Sequence, residues 1–233
     1  MLITKAQRHE EAKHGSLCAF VVRQGSRENW PMTAQPKQYV TPEAYVAFDR
    51  ESDGKNEYVD GTIYAMAGGS VRHNRIAGST YATLYMQLRQ RNCNIYPSDM
   101  RVKVAQTGLY TYPDITIICG NEQYEDENED ILLNPIIIIE VLFPSTEKYD
   151  RGKKFHQYRS ILALREYILI AQDEYHIEKF TRQSDNTWVF SEATGRDGSL
   201  ELRTIQCALR LEEVYEKVDF SREEPDQEAG SAA

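Results

Sequence analysis

The sequence predicts a mixed α/β fold in which a central mixed β-sheet is flanked by helices. Helical and strand patterns alternate along the chain, which is typical of a sheet covered by helices. Residues 136–142 are apolar except for Glu140, so this run fits a central strand with two buried faces. A chain of 233 residues is long enough for one domain with a substantial core.

The predicted helices begin at recognisable capping residues. Thr41 and Pro42 fit an N-cap followed by a first-turn proline. The Gly68-Gly69-Ser70 segment fits a plain helix cap, since it lacks the Lys-Ser/Thr of a phosphate-binding P-loop. Apolar residues at helical spacing follow this cap. The expected helices are 42–49, 71–91, 150–162 and 211–217.

The predicted strands are short runs that alternate or are wholly apolar. Asp60-Gly61 joins two of them, which is a strong hairpin signal. A C-terminal hairpin is expected around residues 184–186. The expected strands are the two halves of 57–64, then 100–105, 115–119, 136–142, 166–171, 175–182 and 188–193.

Composition divides the chain into three segments. Residues 1–37 are polar and lack clear periodicity, which predicts a poorly ordered N-terminal extension. The patterned part, 38–220, is predicted to be one folded domain. Residues 221–233 are predicted to be an acidic disordered tail.

The charge distribution bears on the kind of partner. A formal net charge of −9 argues at first against nucleic acid, because phosphates repel an acidic protein. Residues 121–130 carry six acids and no base, and the tail carries a net −3, which together account for the whole −9. The acidity is therefore expected in one solvated loop and the tail, and the body can carry a local basic face.

The cellular compartment is predicted from what the sequence lacks. No run is long enough for a membrane span, and no apolar signal peptide is visible, so a cytoplasmic protein without membrane attachment is expected. The cysteines form no CxxC pair and are predicted to be reduced thiols. They are Cys18, Cys93, Cys119 and Cys207.

Two carboxylates beside apolar runs are the strongest site candidates. Asp114 precedes the strand 115–119, and Glu140 lies in the strand 136–142. Such a carboxylate is costly unless it is paired or binds a cation, although each alone also fits a turn or strand-end role. Their separation allows two adjacent strands joined by a loop. Carboxylates placed so suit a hard divalent cation such as Mg²⁺, which indicates metal-assisted phosphodiester cleavage.

A lysine that points inward would complete this site. On a helix, Lys154 shares a face with Tyr158 and Ile161, whereas Lys153 lies on the polar side. We therefore expect Lys154 to orient water or neutralise developing charge. Lys153 is expected to be a solvated charge.

Three further residues are weaker candidates. Glu57 is either a third site carboxylate or an exposed strand residue. His73, near the start of the long helix, fits a capping or polar-cluster role better than a catalytic one. Asp99 has no pattern that favours function.

Short motifs in a fixed order resemble the bacterial Uma-two family. They are Glu57 to Gly61, Tyr112-Pro113-Asp114, Ile139 to Thr146, and Asp150-x-x-x-Lys154 with Tyr158. The resemblance covers about residues 38–220. The family is described as one of restriction endonucleases and belongs to the PD-(D/E)XK nuclease superfamily.

This resemblance implies a restriction-endonuclease-like core and a particular site. It implies that Asp114 and Glu140 are metal ligands and that the backbone carbonyl of Val141 is a further ligand. It also implies that Glu57 is an accessory acid and that Lys154 is the catalytic lysine.

Two positions depart from the pattern of the family. The superfamily places its lysine two residues after the glutamate, where this chain has Leu142, so the lysine must come from the following helix. Phe143 stands where this branch has a small serine, and it either stacks on a base or narrows access to the site.

The sequence therefore predicts a divalent-metal-dependent endonuclease that hydrolyses DNA. Mg²⁺ is the expected cofactor and Mn²⁺ a substitute, and a homodimer is expected because two strands must be cut. Leu142 and Phe143 favour the first alternative, a catalytically inactive nucleic-acid-binding or regulatory protein on the same fold. The second alternative is a two-carboxylate hydrolase such as a glycosidase, which needs no metal.

Overall fold

The structure is a computed structural model that describes residues 39–221. The predictions for 1–37 and for the tail beyond Ser221 lie outside this part of the chain. No helix within 39–221 is long and apolar enough to cross a membrane. The helices are α1 (Pro42–Glu51), α2 (Val71–Leu88), α3 (Glu147–Tyr149), α4 (Phe155–Tyr158) and α5 (Leu211–Val214), and a π-helical turn, Asp150–Lys154, joins α3 to α4.

Thirteen strands are present within 39–221, and they form three sheets. The first seven are β1 (Asn56–Val59), β2 (Thr62–Ala65), β3 (Cys93–Pro97), β4 (Arg101–Val104), β5 (Leu109–Thr111), β6 (Ile115–Cys119) and β7 (Ile131–Leu132). The others are β8 (Ile137–Val141), β9 (Glu166–Ile170), β10 (His176–Arg182), β11 (Trp188–Thr194), β12 (Ser199–Leu202) and β13 (Cys207–Arg210).

The largest sheet is mixed, which confirms the predicted fold class. Its order is β11-β10-β9-β8-β6-β3, in which β8 pairs parallel with β9 and the other neighbours are antiparallel. A second sheet has the order β2-β1-β5-β4-β7, and β12 pairs with β13. The predicted C-terminal hairpin is β10–β11. β8 is central, as its two apolar faces predict.

The two faces of β8 pack into different cores. Ile137, Ile139 and Val141 join the cluster formed with α2, α5 and the β12–β13 pair. Ile138 joins a second cluster that contains residues of β4, α4 and β9. Glu140 belongs to this second face because side chains alternate along a strand. The site carboxylate thus extends from a strand that is held on both sides.

The β1–β2 hairpin supplies one wall of the site. Asp60 and Gly61 have φ values of +46° and +77°, which is the left-handed conformation that a two-residue hairpin turn requires. The register pairs Glu57 with Tyr64. The Asp-Gly turn therefore fixes the position of Glu57 within its sheet.

The predicted helix at 150–162 is wrong in its bounds. Helical structure begins earlier, at Glu147, contains the π-helical turn, and ends at Tyr158. A π-helical turn holds one extra residue, and such turns are frequent at functional sites. Sequence periodicity assumes 3.6 residues per turn and cannot show this irregularity. The strands β3, β5, β7, β12 and β13 were also not predicted.

The prediction of reduced cysteines is wrong for two residues. Cys93 and Cys119 lie directly opposite each other in the β3–β6 pair and form a disulfide. Antiparallel pairing brings opposed side chains together, and their spacing in the sequence does not reveal this. Cys207 is a buried free thiol, and Cys18 lies outside residues 39–221.

The acidic loop at 121–130 is docked rather than fully solvated. Arg50 of α1 binds Asp126 and Asp130, with N–O distances of 2.8 and 2.7 Å. Glu125 pairs with Lys103 of β4. Basic partners distant in sequence therefore neutralise part of the loop, and the prediction of a solvated insertion is wrong in part.

Glu166 gives a prediction about stability and pH. It is wholly buried at the start of β9, where Oε1 accepts a 3.4 Å hydrogen bond from the Thr204 amide. Burial raises the pKa of this carboxyl. The folded chain therefore keeps the proton longer than the unfolded chain, and stability is lost as pH rises above the usual glutamate pKa. Glu166→Gln has no proton to lose, so it should become more stable relative to wild type as the pH rises from 4.5 to 8.

Urea unfolding at both pH values tests this expectation. Glu201→Gln, at an exposed residue of β12, is the matched control because it removes the same charge outside the core. A difference between Glu166→Gln and wild type that stays constant from pH 4.5 to 8 would contradict the prediction.

Candidate active site

Asp114 and Glu140 lie on neighbouring strands. β6 and β8 are antiparallel, and Ile115 is opposite Ile139. Continuing this register by one residue places Asp114 opposite Glu140. Opposed residues of an antiparallel pair point to the same face, so the two carboxylates approach each other. The strand arrangement expected for these two candidates is therefore present.

Asp114 is held by a backbone amide and a histidine. Its Oδ2 accepts a 2.7 Å hydrogen bond from the Val141 N–H and lies 3.1 Å from Nε2 of His73. His73 is in the first turn of α2, where its amide donates to the N-cap Ser70. The contact between His73 and Asp114 accords with the polar-cluster role expected of His73, and it joins residues 41 positions apart in the chain.

Glu140 is nearly fully buried, with 5% of its surface exposed. Its Oε1 accepts a 2.8 Å hydrogen bond from the Tyr158 hydroxyl and lies 2.9 Å from Nζ of Lys154. Burial raises the pKa of Glu140 to about 8, although Lys154 acts in the opposite direction. Nearby Asp114 and Asp150 raise it further, because like charges disfavour ionisation.

Lys154 lies among three carboxylates. Besides Glu140, its Nζ is 3.5 Å from Asp150 and 4.0 Å from Glu57. Burial acts to lower the pKa of Lys154, but the three acids together raise it well above its usual value. The ammonium therefore stays charged at neutral pH. The inward direction that helical geometry predicts for Lys154 is present, whereas Lys153 is exposed.

Glu57 reaches the same cluster from the second sheet. Its Oε2 accepts a 3.2 Å hydrogen bond from the Tyr149 hydroxyl. Its buried Oε1 has no hydrogen-bond partner among residues 39–221. This side chain is therefore not an exposed strand residue, and it retains an oxygen that can accept a donor or a cation.

Asp150 is a site acid that was not among the predicted functional residues. Its carboxylate accepts a 2.9 Å hydrogen bond from Thr146, and burial raises its pKa. The Tyr167 hydroxyl fixes its backbone by donating to its carbonyl, at 3.1 Å. The spacing of Asp150 and Lys154, four residues apart, was the signal that could have found it.

The residues after Glu140 explain why the lysine lies elsewhere. Leu142 is 5% exposed and packs in the cluster that contains Tyr158 and Tyr167. A lysine at this position would be buried among apolar side chains. Phe143 is half-buried, and its carbonyl accepts the amides of Thr146 and Glu147 at the start of α3.

Asp49 connects the segment that carries Glu57 to the segment that carries Asp114. It accepts hydrogen bonds from the amide of Asn56, at 3.0 Å, and from the Tyr112 hydroxyl. It also pairs with Arg101 at 2.6 Å. Asn56 precedes Glu57, and Tyr112 lies two residues before Asp114. One buried carboxylate therefore sets the relative position of two site strands.

The three site carboxylates have the chemistry that suits a hard divalent cation, but the oxygens of Asp114, Glu140 and Glu57 do not all lie within 4.8 Å of one another. Asp114, Glu140 and Glu57 offer carboxylate oxygens, the ligands that Mg²⁺ prefers. Oε1 of Glu57 accepts no hydrogen bond in the described chain, and its one nearby cation is the Lys154 ammonium, at 4.0 Å. Acids held near one another with a raised pKa at Glu140 are typical of a functional site.

A separate cluster has three ligand atoms within 4.8 Å of one another, at His176, Glu178 and Glu192. It is the only such group of His, Cys or acidic side chains in residues 39–221. Glu178 and Glu192 are opposed in the β10–β11 pair. Arg151 pairs with Glu178 and offsets part of the repulsion, and Nε2 of His176 lies 3.0 Å from Glu192. Asp99 likewise belongs to a surface ion pair, 2.7 Å from Lys55.

The mixed sheet with its flanking helices defines a class of protein, the restriction-endonuclease-like fold. A crystal structure of a "putative nuclease belonging to DUF820" from Anabaena variabilis has this fold. It superposes with a TM-score of 0.62 at 17% identity, covering 78% of this chain and 98% of that one. The chain belongs to the Uma2 family, described as "Putative restriction endonuclease", whose profile matches residues 42–212.

Two Synechocystis proteins are similar in sequence over most of their length. The uncharacterized protein slr1290 is 31% identical over 190 residues, which cover 82% of this chain and 97% of the relative. The uncharacterized protein sll1609 is 31% identical over 170 residues, covering 73% and 96%. The family predicted from the short motifs is thereby confirmed.

Proposed function

We propose that this protein is a divalent-metal-dependent endonuclease that hydrolyses phosphodiester bonds of DNA. The observation that carries the proposal is the contact between the buried Lys154 and Glu140, whose Nζ and Oε1 are 2.9 Å apart. Glu140 lies on β8, and the register of β8 with β6 places Asp114 opposite it. Membership of a family described as "Putative restriction endonuclease" supports it.

Asp114 and Glu140 would hold the cation, Mg²⁺ with Mn²⁺ as a substitute. The carbonyl of Val141 is proposed as a further ligand by resemblance to the family. When bound, the cation supplies charge neutralisation at the phosphate and lowers the pKa of a water molecule. The amide of Val141 has a different part, since it fixes Asp114 through a 2.7 Å hydrogen bond.

Lys154 acts electrostatically in this proposal. Three carboxylates keep its ammonium protonated, so it cannot serve as a general base at neutral pH. It can instead hold water through its N–H groups and stabilise negative charge on the phosphate as the bond to the leaving oxygen breaks. Glu57, as the accessory acid, adds a further negative charge 4.0 Å from the ammonium.

Two tyrosines position the acids. The hydroxyls of Tyr158 and Tyr149 donate to Glu140 and Glu57. Burial raises the pKa of both phenols, so each remains protonated as a hydrogen-bond donor. The acids therefore keep fixed rotamers, which a reaction centre needs to within about 0.5 Å.

We further propose duplex DNA as the substrate and a homodimer as the active assembly, because a double-strand cut needs two sites. A cytoplasmic location accords with these roles. The alternative is a catalytically inactive nucleic-acid-binding or regulatory protein. The buried Leu142 favours it, because it occupies the usual lysine position of the superfamily.

Supercoiled plasmid tests this proposal. Purified protein in Mg²⁺ should nick or linearise the plasmid, and excess EDTA should stop the reaction because the carboxylates need the cation. Asp114→Asn, purified identically, should lower the rate at least about a hundredfold, since it weakens charge stabilisation at the phosphate. This variant also controls for contaminating nucleases.

Three outcomes are informative. Cleavage by wild type alone supports a metal nuclease with its site at Asp114. Equal cleavage by both proteins would contradict the proposed site. Plasmid binding without cleavage, in both Mg²⁺ and Mn²⁺, would favour the binding-protein alternative.

A further inference from the structure

Three arginines converge beside α4, outside the candidate active site. Arg159 follows α4, Arg165 precedes β9, and Arg182 ends β10. The Arg182 amide donates to the carbonyl of Arg165, at 2.8 Å. The Arg182 guanidinium donates to the carbonyls of Arg159 and Ile161. We call Arg159, Arg165 and Arg182 the arginine cluster.

No acid neutralises the arginine cluster within residues 39–221, where none of its members forms an ion pair. Burial together with the charges of Arg165 and Arg159 lowers the pKa of Arg182. The buried Nε of Arg182 has no hydrogen-bond partner in the described chain. By contrast, the buried Arg101 pairs with Asp49. Uncompensated positive charge in a protein of net charge −9 is therefore concentrated at one place.

Aromatic rings hold two of the guanidinium groups without neutralising them. The guanidinium of Arg182 lies 4.8 Å from the ring centre of Trp188, and that of Arg159 lies 5.5 Å from Phe155. Phe155 and Trp188 themselves pack edge to face at 5.3 Å. Stacked guanidinium groups are pre-organised. Nη2 of Arg159 lies 2.8 Å from Nδ1 of His156, and Nη2 of Arg182 binds the two carbonyls. Nη1 of each arginine has no protein partner in the described chain and can donate to an anion.

The arginine cluster is close to the candidate active site along the chain. Lys154 and Tyr158 both contact Glu140. The residues that directly follow them in the chain, Phe155 and Arg159, instead contact each other through a cation–π interaction. One short helical segment thus presents adjoining faces to the carboxylates and to the cluster. The Arg165 amide donates to the carbonyl of Ile136, four residues before Glu140, so the cluster lies about 13 Å along β8 from the carboxylates, a distance that an extended polyanion can span.

We propose that the arginine cluster binds the phosphate backbone of duplex DNA on one side of the scissile bond. This inference rests on the proposed function, and it names how the substrate is held. Arginine forks match phosphate oxygens in two-pronged hydrogen bonds. A backbone phosphate supplies the negative charge that the protein itself does not provide.

Fluorescence anisotropy of the full chain with a short labelled DNA duplex, in EDTA to prevent hydrolysis, tests the proposal across salt concentrations. The variant Arg159→Gln/Arg165→Gln removes two exposed members and leaves Arg182 in its place. The control Arg89→Gln/Arg196→Gln makes the same charge change at exposed arginines elsewhere. Far-UV circular dichroism and urea unfolding check that both variants are folded.

We expect the cluster variant to bind about tenfold more weakly than the control at low salt. Each lost phosphate contact should flatten the slope of log affinity against log salt by about 0.9, so two contacts remove nearly 2. Equal slopes and affinities for the two variants would overturn the proposal, as would a wild-type protein that does not bind duplex DNA.

The outcome can be separated from that of the proposed function. Cluster-dependent binding without hydrolysis in Mg²⁺ or Mn²⁺ would support the cluster and remove the nuclease. Hydrolysis of DNA by a protein whose DNA affinity does not depend on the arginine cluster would support the nuclease function and contradict the role of the cluster.

Discussion

Lys154→Met is expected to abolish detectable cleavage of plasmid DNA and to lower the free energy of unfolding by about 3–5 kcal/mol. The variant removes the one ammonium within residues 39–221 that lies within 4.0 Å of Glu140, Asp150 and Glu57. The three buried acids then repel one another without a counter-charge. Initial cleavage rates and urea unfolding at pH 7.5 measure the two effects.

Lys153→Met is the matched control for this prediction. It makes the same substitution at the preceding residue, which is exposed and contacts none of the three acids in the described chain. Its cleavage rate should stay within a few-fold of wild type, and its stability should change by less than about 0.5 kcal/mol. A Lys154→Met protein that retains a tenth of the wild-type rate would refute the proposed role of this lysine.

Glu140→Gln is expected to lower the cleavage rate by about a thousandfold while the fold remains stable. The amide occupies the same volume and can still accept the hydrogen bond from Tyr158. It removes one of the acids that gather around a single lysine, so the unfolding free energy should stay within about 1 kcal/mol of wild type. The amide binds a divalent cation far more weakly than the carboxylate, and the rate should fall for that reason.

Glu140→Gln is expected to lower the cleavage rate without lowering the free energy of unfolding, whereas Lys154→Met lowers both. Glu147→Gln is its control, because Glu147 lies in the same region but its carboxylate pairs with Arg151 on the surface. Unfolding curves and initial rates in Mg²⁺ should be compared for the three proteins. A stable Glu140→Gln protein with wild-type activity would show that Glu140 is a structural charge.

The strand framework of the site was predictable because its signals are local. The apolar runs flanking Asp114 and containing Glu140 predict strands, and the intervening residues leave room for adjacent pairing. The inward direction of Lys154 follows from its helical spacing to Tyr158, even though the segment begins as a π-helical turn. Local pattern left Glu57 as either a site carboxylate or an exposed strand residue, and the family resemblance favoured the first of these.

The contacts that refine the site were not predictable from the sequence. His73 reaches Asp114 across 41 positions, and Asp49 reaches Tyr112 across 63. Such pairs arise only when separate strands and helices pack together, and no local propensity encodes them. The strand β3 carries polar residues and a proline, so the sequence pattern concealed both the strand and the disulfide that Cys93 forms with Cys119.

The site side chains come from three strand regions and one helical turn, with nearly a hundred residues between Glu57 and Lys154. Contacts between residues so distant in sequence form late, because the entropy of loop closure must be overcome first. A chain emerging from the ribosome, or a proteolytic fragment that lacks the segment around Lys154, therefore has the carboxylates without the assembled centre. If the proposed nuclease function holds, this arrangement confines the activity to the fully folded chain.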